Sequence, residues 1–83
     1  MSYFFYLARC RDGSLYSGYS QNLEKREQVH NSGKGAKYTA SRRPIEIIYF
    51  EKFDSKSDAL KREAAVKKMS RAEKLKLIGT KNC

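Results

Sequence analysis

Two aromatic and aliphatic runs, Tyr3 to Cys10 and Leu15 to Tyr19, face each other across Asp12-Gly13, and their pairing limits the possible folds more than any other feature of the chain. The segment reads as a β-hairpin. Its loop length decides what the hairpin can do. A two-residue Asp12-Gly13 loop would send Tyr6 and Tyr16 to opposite faces, because side chains alternate along a strand. A three-residue loop, Arg11-Asp12-Gly13, with Gly13 in the left-handed conformation that glycine tolerates, sets Tyr6 opposite Gly18 and Tyr16 opposite Ala8. Both phenols then share one face. This second register is the expectation, with a shallow opening beside the rings where Gly18 and Ala8 add little bulk.

The remaining elements follow from caps and periodicity. Asn22 is the expected N-cap of a helix from Leu23 to His30 that stops near Asn31-Ser32-Gly33. At about 100° per residue, Leu23, Arg26, Val29 and His30 fall in one sector, so an arginine and the single histidine point inward between apolar residues. Gly33 to Arg43 is polar and glycine-punctuated, the pattern of a surface loop with at most a short helical turn. Ile45 to Phe53 has the composition of a strand covered on both faces. Ser55 or Ser57 caps a helix running to about Met69. On it, Leu60, Glu63, Val66 and Lys67 share a sector. Ser70-Arg71-Ala72-Glu73 is a capping box that opens a last helix, with Gly79 as its expected stop. The order is ββαβαα, an α+β fold in one domain over residues 1–83 with its core at about 3–78.

Charge limits the partners. The 83 residues carry 18 Lys and Arg against 9 Asp and Glu, a formal charge of +9 spread over several elements rather than one terminal run. Such a surface suits a polyanion whose phosphate backbone crosses a folded face. No apolar stretch reaches the roughly 18–20 residues that span a bilayer, and the N-terminus lacks the features of a signal peptide, so a cytoplasmic protein without a membrane partner is expected. Cys10 and Cys83 match neither a metal-ligand spacing nor a disulfide framework and are read as free thiols.

Inward polar side chains thus come from three elements: Tyr6 and Tyr16 from the hairpin, Arg26 and His30 from the first helix, Glu63 from the second. Taken singly, each has a structural explanation. The tyrosines could be core residues with satisfied hydroxyls, His30 could bond a carbonyl, and Glu63 could pair with Lys67 four residues on.

Taken together they resemble a signature. Phe4-Phe5-Tyr6, Tyr16-Ser17-Gly18, Arg26, His30 and Glu63 are spaced as in the GIY-YIG nuclease superfamily. The stretches Asn22-Leu23-Glu24-Lys25-Arg26, His30 to Thr39, Arg43-Pro44 and Arg62-Glu63 look like its small stand-alone bacterial branch, the YhbQ/YazA-like proteins. Phe4-Phe5 stands where the motif name has Gly-Ile, and Ser17 replaces the middle isoleucine of the second motif. Many relatives carry a supporting asparagine beyond the metal-binding helix; here only Asn82 is available, and it is not assigned. The resemblance implies a GIY-YIG-type αβ sandwich, a three-stranded antiparallel sheet flanked by helices.

For chemistry, the resemblance implies metal-dependent hydrolysis of phosphodiester bonds. Tyr6 would be the general base, Arg26 the phosphate clamp, Tyr16 and His30 phosphate-bonding or proton-relaying groups, and Glu63 the ligand of one Mg²⁺, for which Mn²⁺ could substitute. A guanidinium fork suits phosphate because it makes two parallel bonds and keeps its charge. One carboxylate with waters and substrate oxygens completes a normal Mg²⁺ shell. DNA is the expected substrate and RNA the alternative, with Lys34, Lys37, Arg42 and Arg43 of the loop guiding the backbone. Phosphate contacts position a strand without reading bases, so choice by structure rather than sequence is expected. The competing expectation is a non-catalytic nucleic-acid-binding accessory module that needs a partner protein to supply specificity.

Overall fold

A computed structural model describes residues 2–35 and 37–81. Its hairpin consists of β1 (Tyr3–Arg9) and β2 (Leu15–Ser20). The turn closes through Gly13 N–H to Cys10 O at 2.9 Å and Cys10 N–H to Ser14 O at 2.9 Å, with Gly13 at φ 86°. Asp12 stiffens it by accepting from the Ser14 amide at 3.0 Å and the Ser14 hydroxyl at 2.6 Å. The resulting register pairs Tyr6 with Gly18 and Ala8 with Tyr16, which places both phenols on one face as the three-residue loop requires.

The third strand, β3 (Glu46–Phe53), pairs antiparallel with β1, so the sheet order is β2-β1-β3 and the first strand is central. Phe5, Tyr6, Leu7 and Ala8 are consecutively buried, because successive side chains feed two different cores. Phe5 and Leu7 pack with Tyr49, Val66 and Ile78 on one face; Tyr6 and Ala8 pack with Cys10 and Ile45 on the other. β3 departs from expectation. It is an outer strand, only Tyr49 within it is buried, and Phe50 is 40% exposed. A register shift opposite Leu7 and Ala8 sets Ile48 beside Tyr49 in the first core and turns Ile47 to the second.

Four helices complete the fold: α1 (Leu23–Asn31), α2 (Lys37–Ala40), α3 (Lys56–Lys67) and α4 (Arg71–Lys81). Side chains cap them. Asn22 accepts from Lys25 N–H, and Ser55, rather than Ser57, accepts from Asp58 N–H, each at 3.0 Å. Ser70 and Glu73 bond reciprocally at 2.9 and 3.2 Å, completing the capping box.

Three expectations are corrected. Gly79 does not stop α4, which continues to Lys81; glycine in a helix costs about 1 kcal/mol relative to alanine, too little to end one among good helix formers. Ala59, not Leu60, joins Val66 on the buried face of α3, and Leu60 is 40% exposed. The segment after Gly33 is more than a surface loop, because α2 inserts a fully buried Thr39. Cys10 is a buried free thiol, whereas Asn82 and Cys83 lie outside the described residues. No described helix is long and apolar enough to cross a membrane.

Two contacts orient the helices towards the future site. Arg62 on α3 grips Glu51 of β3 with both arms of its guanidinium, Nε to Oε1 at 2.9 Å and one terminal nitrogen to Oε2 at 3.1 Å. Arg71, in the first turn of α4, donates to the Gly13 carbonyl at 2.8 Å and ties that helix to the hairpin turn.

Candidate active site

Four expected residues converge on the α1 side of the sheet. His30 is fully buried with its Nε2 2.8 Å from the Tyr6 hydroxyl and its Nδ1 2.8 Å from Thr39 Oγ1. Arg26 Nε donates to the Tyr6 oxygen over a long 3.4 Å. The Tyr16 ring stands edge-on to His30 at 5.4 Å between centroids and lies 6.5 Å from the ring of Tyr6. Arginine can only donate, so the Tyr6 oxygen accepts from it. With the phenolic proton donated to His30 Nε2 and Nδ1–H donated to Thr39, both ring nitrogens are satisfied; the other tautomer reverses both bonds. Burial pushes the His30 pKa below its ordinary value and the charge of Arg26 pushes the same way, in keeping with a neutral ring.

Tyr6 is as enclosed as His30. Its side chain is fully buried, and a Cβ built on Gly18 would sit 2.3 Å from both Cζ and the hydroxyl oxygen. The small residues of β2 therefore leave no opening beside the ring; the ring itself occupies that space. Burial raises the phenol's pKa, Arg26 draws it back by hydrogen bond and charge, and Tyr16 and Glu63 raise it further. Tyr6 is sealed from solvent, whereas Tyr16 is partly exposed.

Glu63 approaches from α3, which packs against both β1 and β2. Its neighbour Arg62 is held by β3, and its own charge acts on the Tyr6 phenol. Its side chain is only 18% exposed and Oε2 lies 3.2 Å from Lys67 Nζ. The pair that offers a structural explanation for Glu63 is thus present beside the approach to the phenols. The donor set fits one hard cation. A single partly buried carboxylate, balanced by an ammonium on an exposed stem that can swing away, leaves room for waters and phosphate oxygens. Among the described residues no three His, Cys, Asp or Glu side chains gather into a fuller ligand set.

Arg26 borders an open groove of about 410 Å³ lined by Ser20, Gln21, Asn22, Lys25, Arg26 and Val29. The four cations expected to guide a backbone lie elsewhere and behave differently from one another. Lys34 and Lys37 are exposed. Arg42 bonds Asp12 at 3.1 Å, and Arg43 donates to the Ala40 carbonyl at 2.8 Å.

Sequence reasoning missed several supports of the site. Thr39 fixes the outer nitrogen of His30. Gly35 passes so close that a Cβ there would lie 2.4 Å from His30 Nδ1. Glu27 and Asn31 of α1 accept from the main chain after the loop, at 2.7 Å for the Ile47 amide and 2.6 Å for the Ile45 amide. The spacing of Gly33, Gly35 and Thr39 after His30 was the signal available, and it carried no direction.

The chain and its fold are similar to those of known proteins. The GIY-YIG catalytic domain family matches residues 2–76. The UPF0213 protein of Staphylococcus saprophyticus is 55% identical over 76 residues, 92% of this chain and 93% of the relative. That of Syntrophus aciditrophicus is 61% identical over 74 residues, 88% of this chain and 85% of the relative. The solution NMR structure of the Bacillus halodurans UPF0213 protein superposes with a TM-score of 0.64 at 41% identity, covering 98% of this chain and 86% of that one. An E. faecalis protein structure reaches 0.66 at 48% identity, covering 99% and 88%. With the motif residues clustered in one site and the match extending over nearly the whole chain, this protein belongs to the GIY-YIG family, in its small bacterial UPF0213 branch.

Proposed function

We propose that the protein is an endonuclease that hydrolyses phosphodiester bonds, in DNA before RNA, with one divalent cation and with preference for strand structure over base sequence. The observation that supports this most is the hydrogen-bond chain from Arg26 through Tyr6 and His30 to Thr39, which holds a guanidinium at the wall of an open groove.

In-line hydrolysis needs an activated water, stabilisation of charge on the phosphoryl oxygens and help for the leaving oxygen. Arg26 clamps the phosphate. Glu63 holds Mg²⁺, or Mn²⁺ in its place, and the ion supplies Lewis-acid stabilisation of phosphate charge when bound. Burial raises the Tyr6 phenol and lowers the His30 imidazole, and both shifts oppose moving the Tyr6 proton onto His30. In this reading Tyr16, partly exposed, would first lose its own phenolic proton to solvent and then, as phenolate, take the proton from the attacking water. Tyr6 and His30 act as positioning residues for Arg26 and for the Tyr16 ring.

The test incubates purified protein with single-stranded, duplex, flapped and branched DNA and RNA in Mg²⁺, Mn²⁺ or EDTA, beside Tyr16→Phe, Glu63→Ala and Tyr6→Phe. Cutting should require metal and disappear with Glu63→Ala. It should fall roughly 10²–10⁴-fold with Tyr16→Phe, the usual contribution of a positioned base, and less with Tyr6→Phe. Binding without cutting across the panel would sink the hydrolytic reading and leave an accessory module that depends on a partner protein.

A further inference from the structure

The outer edge of β2 opens into grooves at both ends. Its Ser20 end meets the groove at Lys25 and Arg26. Its Leu15 end opens into a second groove of about 310 Å³ lined by Leu15, Tyr16, Ser17, Lys67 and Lys74. The fold builds this second groove from distant parts of the chain. The Arg71 bond to the Gly13 carbonyl seats α4 against the hairpin turn, and Lys74 projects one helical turn further on, beside Leu15 to Ser17. Lys67 arrives from the last turn of α3. Tyr16 lines its edge, with its ring turned to the other face of the sheet, against Tyr6 and His30.

The cations here are available. Lys74 and Lys25 take part in none of the ion pairs between described residues. Lys67 is half-exposed and shares its ammonium with Glu63 at 3.2 Å, with donors left over for a second anion. Ser17, whose buried hydroxyl has no hydrogen-bond partner among the described residues, forms part of the wall. The 33–43 loop is less well equipped, since Arg42 and Arg43 are already bonded to Asp12 and Ala40.

We infer that one nucleic-acid strand runs along the outer edge of β2, with one phosphate at Lys25 and Arg26, a second at Lys67 and Lys74, and Tyr16 between them. Strand rise puts Tyr16 and Ser20 about 13 Å apart, the reach of a few nucleotides. The track rests on the nucleic-acid reading above and gives it a direction.

The test is binding of a single-stranded twelve-nucleotide thymidine oligomer in EDTA, followed by amide chemical shifts and by affinity across a salt series. Shifts should gather on residues 15–17, 20–26 and 67–74. The slope of log affinity against log salt should fall by about 0.7 for each single-strand phosphate that the protein no longer neutralises, in Lys74→Ala and again in Lys25→Ala, with amide spectra showing both variants folded. The Lys34→Ala/Lys37→Ala double variant should keep the wild-type slope. An unchanged slope in Lys74→Ala and Lys25→Ala, with a reduced slope in the loop variant, overturns the track and leaves the nucleic-acid reading standing. Absence of salt-sensitive binding by the wild type overturns both.

Discussion

His30 concentrates the site's chemistry in one side chain. It is buried and neutral, and its pKa lies below the ordinary histidine value because of burial first and Arg26 second. The unfolded chain therefore binds the proton more readily than the native one, and stability rises with pH across that interval. The contribution is complete above about pH 6.5 and is lost as pH falls towards the lowered native value, at up to about 1.4 kcal/mol per pH unit. Urea unfolding between pH 7.5 and 5 should show this slope, and His30→Gln should flatten it even if that variant is less stable throughout. Asp12 and Glu73 are held below their ordinary values, by the Ser14 and Ser70 hydrogen bonds respectively, so their losses begin at more acid pH and do not obscure the histidine. The motif in the sequence was enough to bring Tyr6, Tyr16, Arg26 and His30 together. It could not say which tyrosine would be sealed in, because burial of Tyr6 depends on its ring lying on Gly18 and its hydroxyl meeting His30 of α1, and no local pattern encodes those contacts.

Elements were legible where a local rule sets them. Loop length and a glycine at positive φ fix the hairpin register, and side-chain caps begin α1, α3 and α4. Tertiary placement decided the rest. β3 has the composition of a central strand, but β1 takes the centre because it pairs on both sides, leaving Phe50 partly uncovered. Helical periodicity could not choose between Ala59 and Leu60, since close packing of α3 on the sheet favours the smaller residue at the contact. The aim of α3 rests on the two-armed Arg62–Glu51 bond, which fixes one side of the helix to β3 beside Glu63. Arg62→Ala should cost about 1–3 kcal/mol in chemical denaturation, the range for hydrogen bonds to charged partners. Arg62→Lys should recover only part of it, because an ammonium cannot make the parallel pair. Full recovery by lysine would mean that charge alone, without geometry, holds the helix.

Over the whole molecule, a formal charge of +9 acts on folding and binding with opposite signs. Self-repulsion of like charges strains the compact state, and salt screens it. Raising sodium chloride from 0.05 to 0.3 M, roughly a twofold contraction of the Debye length, should raise the Tm of the free protein while weakening its hold on an oligonucleotide. A Tm that falls alongside affinity would show that attractive ion pairs, not repulsion, dominate the surface. The composition made a polyanion partner legible from the start; the direction of its path was not, because it depends on lysines of α1, α3 and α4 meeting at an edge defined only by strand order.

The Arg71 bond to Gly13 joins positions 58 residues apart. During synthesis the hairpin leaves the ribosome long before the helix that walls its groove, since chains grow at about 5–20 residues per second from the N-terminus. For those seconds the emerging chain carries its phenols and Arg26 but lacks Glu63, and then lacks the Lys74 wall. The groove between Leu15 and Lys74 is thus among the last features the chain acquires, complete only once residue 74 has joined the hairpin.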